Sequence, residues 1–224
     1  MRYTIVVPLL NERQQLPDLI EHLRYLQARA DCELILVDGG SSDGSVELAT
    51  AAGLHVLDAQ RGRARQMNAG AAAASGDWLL FLHADTRLPD CAFEEIQRAA
   101  KEKFSWGRFD LRISGDSIWF PLIATLINRR SRLSGIATGD QAIFVRRDLF
   151  RASGGFPEQP LMEDIELSKR LLKHSRPACI GHRAATSGRR WQKYGVIRTV
   201  LLMWRLRFAY WRGVPAESLA RRYD

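Results

Sequence analysis

A chain of 224 residues with 46% hydrophobic residues is long enough for one sizeable domain with its own core. Its formal charge of +8 points to an anionic partner, whether a nucleotide diphosphate, an acidic lipid surface or nucleic acid. Three scattered cysteines, Cys32, Cys91 and Cys179, argue against a disulfide framework or a zinc site, and Met1-Arg2-Tyr3 runs into a strand-like segment without signal-peptide regions, so a reducing cytosol is expected.

Tyr3 to Leu10 is apolar and β-branched at nearly every position, which predicts a central parallel strand covered on both faces. Pro8 should mark its end, because proline cannot donate to a ladder. Leu16, Leu19, Ile20, Leu23 and Leu26 recur at helical spacing, so a helix packs next on the sheet. Glu33 to Val37 is a second strand. It runs into Asp38 to Ser45, D-G-G-S-S-D-G-S, whose glycines and short polar side chains allow tight turns and close approach of backbone to ligand. Asp43 is placed to cap a helix through Ala52, and Leu54 to Leu57 supplies a short third strand. Gln60 to Gly76 opens with Arg61, Arg63 and Arg65 and continues as a helix of small residues able to lie close to the sheet. These arginines read either as a solvated face or as forked donors to a diphosphate.

Asp77 to Leu82 forms the next strand, and Leu79 to Arg87, L-L-F-L-H-A-D-T-R, brings His83, Asp85 and Thr86 to its carboxyl end. Ligands of open α/β sheets bind just outside such ends. A carboxylate there suits a hard divalent cation holding a diphosphate. The plainer alternative is that Asp85 caps the following helix, Pro89 to Lys103. Strand and helix alternate up to this point, which calls for a parallel sheet with right-handed crossovers.

The pattern then changes. Trp106 to Ser114 alternates as a strand, and Ile118 to Ile127 is an apolar run followed by Arg129, Arg130 and Arg132. That run is too short to span a bilayer and fits a helix in a membrane interface, a lid over an acceptor, or an ordinary core helix. Gly139 to Arg146 reads as a strand and Gly154 to Pro157 as a loop. Met162-Glu163-Asp164 opens a helix through Leu172, a place where the helix dipole favours acids. Val196 to Trp211 is apolar almost all round except for Arg198, Arg205 and Arg212 on one stripe, with Arg207 opposite. Such a helix needs cover from protein, a second subunit or lipid, which leaves a homodimer and a peripheral membrane contact open.

Taken together, P-L-L-N-E (Pro8 to Glu12), V-D-G-G-S-S-D-G-S (Val37 to Ser45), F-L-H-A-D-T (Phe81 to Thr86) and M-E-D-I-E-L (Met162 to Leu167) resemble glycosyltransferase family 2 in their order and spacing. The whole is most similar to a small bacterial group of stand-alone members associated with radical-SAM and selenium-related genes. This resemblance covers Tyr3 to about Leu172 and implies an α/β GT-A fold, a Rossmann-like mixed sheet flanked by helices, over residues 1–185. The nucleotide-binding part would be residues 1–104 and the acceptor part residues 105–185, followed by a helical C-terminal appendage, residues 186–224.

The resemblance also implies an inverting, hexosyltransferase-like transfer of a sugar from a nucleotide diphosphate donor, UDP-linked ahead of GDP-linked, to a hydroxyl acceptor. The apolar stretches suggest that this acceptor is lipid-linked or otherwise amphipathic. Pro8, Asn11 and Glu12 would line the nucleotide pocket, and Asp38 would contact the base or ribose. Asp85, matching the last acid of the family's D-x-D motif, would hold Mn²⁺ or Mg²⁺. Asp164 would be the general base, with Glu163 supporting it or binding the acceptor. Arg63, Arg65, Arg189 and Arg190 would offset charge on the departing diphosphate.

Two positions depart from the family pattern. His83 stands where the first aspartate of D-x-D is usual, and reads as a metal ligand, a diphosphate donor or a hydrogen-bonded strand-end histidine; His182 is a further nitrogen for a metal. Ser187 replaces the glutamine of the Q-x-x-R-W signature of processive synthases ahead of Arg190 and Trp191, and without apolar spans for polymer export a single transfer is expected.

Other classes fit less of the chain. A nucleotidyltransferase would want a glycine-rich, lysine-bearing signature that Pro8 to Arg13 lacks, and a dinucleotide-dependent oxidoreductase would want a G-x-G-x-x-G after the first strand, where none follows. A non-catalytic basic protein of membrane surfaces or nucleic acid leaves Asp38, Asp85, Glu163 and Asp164 without a role, since acids at strand ends repel phosphate unless a cation intervenes. Nucleic acid is therefore not expected as a partner. The expected location is the cytoplasm, with peripheral contact to the anionic inner face of the membrane.

Overall fold

The computed structural model describes residues 1–223. An eight-stranded mixed sheet runs through it, built from β1 (Tyr3–Leu9), β2 (Cys32–Asp38), β3 (His55–Asp58), β4 (Trp78–Phe81), β5 (Thr86–Arg87), β6 (Trp106–Ser114), β7 (Ile143–Arg146) and β8 (Ala178–Ser187). Their spatial order is β3-β2-β1-β4-β7-β6-β8-β5. The first four strands are mutually parallel, β7 is antiparallel to both β4 and β6, β8 is parallel to β6, and β5 is antiparallel to β8. The mixed α/β architecture expected from the motifs is the one the chain adopts.

The helices are α1 (Leu16–Arg29), α2 (Ser45–Ala51), α3 (Arg63–Ala73), α4 (Ala92–Lys101), α5 (Phe120–Ser134), α6 (Arg147–Ala152), α7 (Glu163–Leu172), α8 (Arg189–Tyr194), α9 (Val196–Trp211) and α10 (Ala216–Tyr223). Successive strand residues point to opposite faces, so β1 feeds two cores. Tyr3, Ile5, Val7 and Leu9 pack with the apolar faces of α1 and α4, while Val6 joins α3, α6 and α7 on the other side. The small residues of α3 are needed for close packing: a Cβ on Gly70 would come within 2.4 Å of Val6 Cγ1.

Pro8 lies inside β1 rather than after it, paired with Val37 of β2. The strand carries it because pairing with β4 has already ended at Val6 and Phe81, so its missing N–H takes nothing from that side. The long strand β8 was not expected from its sequence. A-C-I-G-H-R-A-A-T-S has few β-branched residues and no apolar alternation, and it is held by pairing with β6 across a bulge between Phe109 and Asp110.

The C-terminal helices fold back on the sheet domain. Leu206 of α9 and Leu219 of α10 are buried against Leu161, Met162 and Ile165, at the start of α7. This contact covers one face of α9. The opposite face keeps Ile197, Leu201, Trp204, Phe208 and Trp211 exposed, and α5 exposes Leu122, Leu126 and Leu133, following the exposed Ile118 and Trp119.

Candidate active site

The carboxyl ends of β1 and β2 are locked together by short polar side chains. Asn11, at a positive φ of 53°, accepts from Ser42 N–H through Oδ1 at 2.9 Å and donates its own backbone N–H to Ser41 Oγ at 2.9 Å. The N–H of Glu12 donates to Ser45 Oγ and that of Arg13 to Asp43. Asp38 is buried and accepts from the N–H groups of Gly40 and Ser41 and from the Ser41 hydroxyl. Its carboxylate thus shapes the glycine-rich turn that the sequence placed there. Beneath both loops, the buried amide of Gln66 donates to the carbonyls of Leu9 and Val37, each at 2.8 Å. Sequence reading missed Gln66; its one signal is a polar side chain on the sheet-facing side of a small-residue helix.

Past β4, Asp85 is loosely held and partly exposed: Thr86 Oγ1 lies 3.4 Å from Oδ1, and the Arg189 guanidinium lies 3.8 Å from Oδ2. Arg189 also reaches Glu12 Oε2 at 3.4 Å, bridging the β1 loop and the β4 end. Burial raises the Glu12 pKa, and the charge of Arg189 opposes that rise. His83 Nδ1 is 3.2 Å from Asp140 Oδ1, and its ring packs so tightly on Gly139 that a Cβ there would sit 2.3 Å from Cε1. Gly139 and Asp140 belong to a single 3₁₀ turn, Gly139–Gln141, closed by a capping box between Thr138 and Gln141. From the same turn, Gly139 N–H donates to Asp164 Oδ2 at 3.0 Å.

Glu163 and Asp164 open α7. Glu163 is buried, and burial followed by the adjacent Asp164 charge raises its pKa; Arg63 lies 3.9 Å away. The Arg63 side chain is half exposed, and the anionic groups around it, Glu163 first among them, raise its pKa. Arg63 therefore sits among the α7 acids. The other predicted arginines lie elsewhere: Arg65 pairs with exposed Glu158 at 3.2 Å, and Arg190 lies 3.6 Å over the Tyr223 ring and donates to the Tyr223 carbonyl. Pro8 lies in β1, next to the loop but one step back from Asn11. His182 Nδ1 is 3.5 Å from Glu95 and grouped with Cys91, remote in contacts from Asp85.

Two further arginines, without a place in the site from sequence alone, feel the charge of Asp164. Arg130 from α5 and Arg207 from α9 both have lowered pKa values, Arg130 down to about 10, with burial as the main cause and the Asp164 charge opposing it.

Known proteins share the fold that carries this site. The profile of the family described as Glycosyl transferase family 2 matches residues 4–153, about two thirds of the chain. The undecaprenyl-phosphate 4-deoxy-4-formamido-L-arabinose transferase of Yersinia pestis is 28% identical over 92% of this chain, which spans 66% of that relative's length. Among solved structures, a mannosyltransferase from Pyrobaculum calidifontis in complex with GDP-Man and Mn²⁺ superposes with a TM-score of 0.66 at 20% identity, covering 93% of this chain and 61% of that one. Glucosyl-3-phosphoglycerate synthase from Mycobacterium tuberculosis, with Mn²⁺, UDP-Glc and phosphoglyceric acid, gives 0.63 at 19% identity, covering 83% and 71%.

Proposed function

The chain belongs to glycosyl transferase family 2, and from that premise we propose that it moves one sugar from a nucleotide diphosphate sugar, UDP-linked ahead of GDP-linked, to an acceptor hydroxyl with inversion at the anomeric carbon. One observation carries the reading: the turn Gly139–Gln141 holds His83, at the end of β4, through Asp140 and holds Asp164, at the start of α7, through the N–H of Gly139. The donor end and the acceptor end of the site are thereby fixed to one short rigid element, which is what in-line displacement requires.

In this reading Asn11, Glu12 and the Asp38 loop receive the nucleoside, with Pro8 behind them. A divalent ion, Mn²⁺ or Mg²⁺, would supply charge neutralisation at the diphosphate. The residues fit such an ion: Asp85 offers carboxylate oxygens that are only loosely engaged, and His83 has Nδ1 committed to Asp140, an arrangement that orients a ligand imidazole and leaves Nε2 for coordination. Arg189, already beside Asp85, and Arg63 offset the charge left on the nucleotide. Asp164 takes the acceptor proton while Glu163 holds Arg63. Arg65 and Arg190 would reach the donor only after leaving Glu158 and Tyr223.

The acceptor is proposed to be lipid-borne or amphipathic and to be met at an anionic membrane surface. The exposed apolar stripe Ile197, Leu201, Trp204, Phe208, Trp211 runs beside the exposed basic stripe Arg198, Arg205, Arg212, the pairing expected of a helix lying in a membrane interface. No helix among the described residues is long and apolar enough to cross a membrane. A homodimer burying the same stripe would be the competing occupant. Flotation with vesicles containing anionic lipid supports the membrane contact; a protein that stays in the soluble fraction at low salt and sediments as a dimer overturns it.

Calorimetric titration with UDP and with GDP, each with and without Mn²⁺, tests the transferase reading, repeated on Asp85→Ala. Metal-dependent binding of one nucleotide, lost in the variant, supports it. Binding of neither nucleotide overturns it.

A further inference from the structure

The guanidinium of Arg130 is aimed into the protein from α5, and its Nε and Nη2 are closed off from solvent without any hydrogen-bond partner. Buried polar groups in folded proteins are almost always paired, and a buried cation without a partner costs more than a neutral group. Helix α9 packs on α5 through Val196 and Val200 and on the start of α7 through Leu206, and it carries Arg207, partly buried, on the side away from its exposed basic stripe. The like charge of Arg207 acts directly on Arg130, and Arg108, whose own charge is taken up by Asp110, adds to the positive field. Among the described residues, neither Arg130 nor Arg207 forms an ion pair, and the one acid whose field reaches both is Asp164. The fold therefore holds two uncompensated cations together at the acceptor-side acid. Two guanidinium forks present more donors than one carboxylate can accept, and their geometry matches the oxygens of a phosphate.

We infer that Arg130 and Arg207 form an anion subsite beside Asp164 that binds the phosphate of a phosphorylated acceptor. This rests on the transferase reading for the role of Asp164, but the subsite itself is defined by the unpaired Arg130 donors. Because it lies where α5 meets α9, the two helices with exposed apolar faces, two sources of the phosphate are distinguished by the test: a lipid headgroup whose chain lies along those faces, or a small soluble phosphate monoester.

The test is calorimetric titration of the full chain with three probes, farnesyl monophosphate, glycerol 3-phosphate and phosphate-free farnesol, on the parent protein and on Arg130→Gln and Arg207→Gln. Phosphate monoesters should bind the parent, and each substitution should weaken that binding roughly tenfold or more, as expected for loss of a charge-assisted bidentate contact. Farnesol should be indifferent to both substitutions. Farnesyl phosphate binding well above glycerol 3-phosphate assigns a lipid source, and equal binding assigns a soluble one. Arg130→Gln should also melt no lower than the parent without ligand, because it removes an unpaired buried charge, and should lose the stabilisation that phosphate monoesters give. Binding of UDP with Mn²⁺ should be unchanged in both variants, which separates this subsite from the donor site. Phosphate monoesters that bind no better than farnesol, or that bind equally to parent and variants, overturn the subsite while leaving the donor reading standing.

Discussion

The backbone N–H of Gly139 donates to Asp164 Oδ2 at 3.0 Å, while the next residue, Asp140, holds His83. A second carboxylate contact, Ile165 N–H to Asp164 Oδ1 at 2.7 Å, fixes the other oxygen. Asp164 is thus oriented by backbone donors rather than by a salt bridge, and Asp164→Asn should keep the fold. The expected result is unchanged metal-dependent nucleotide binding with turnover reduced about 10²- to 10⁴-fold, the usual loss for a general base. Measuring both on the same preparation separates a base from a donor-binding residue.

Gly139→Ala tests the contact between the turn and His83. The added methyl would overlap the imidazole, at 2.3 Å from Cε1 and 2.4 Å from Nε2, so the ring or the turn must shift. Displacement of about 1 Å is enough to cost roughly 10²-fold in rate where reacting groups are pre-positioned. Weaker Mn²⁺-dependent nucleotide binding together with lost turnover is expected; full retention of both would remove His83 from the site.

Gln66→Leu removes the two donors that satisfy the carbonyls of Leu9 and Val37 beneath the nucleotide loops. Leucine fills a similar volume but removes both hydrogen bonds, at about 0.5–1.5 kcal/mol each, while the Leu9 carbonyl keeps the N–H of Gly39 at 3.0 Å. A lower urea midpoint at unchanged slope, corresponding to roughly 1–3 kcal/mol of lost stability in total, is the outcome to look for.

His22 gives the fold a pH dependence. It accepts the N–H of Leu88 at 3.0 Å through Nε2, and burial, aided by the charge of Arg87, lowers its pKa to about 4. Below an ordinary histidine value near 6.5, the unfolded chain takes up a proton that the folded chain refuses. Stability from this residue is therefore complete above the unfolded value and declines as pH falls towards about 4, by roughly 2–3 kcal/mol in total. His22→Gln, which retains an acceptor for Leu88, should flatten that part of the stability profile between neutral pH and pH 4.

The sequence by itself determined the parallel half of the sheet, because β1, β2 and β4 are short apolar runs ending in polar loops, and their hydrophobic pattern is local. It also placed Asp38, Asp85 and Asp164 at element ends, since chemistry at a strand or helix terminus is written in consecutive residues. Tertiary structure alone decided what depends on distant partners. The strand β8 has little intrinsic preference and exists through its pairing with β6, seventy residues earlier in the chain. The role of the Gly139–Gln141 turn, the clamp by Gln66, and the diversion of Arg190 to Tyr223 arise from side chains meeting across the fold. The same holds for Arg130 and Arg207: in sequence they are two members of arginine-rich helices, and only the packing of α9 against both α5 and the start of α7 puts the two under the charge of Asp164. A residue's charge is local information, but whether that charge is answered by a partner is set by the tertiary contacts around it.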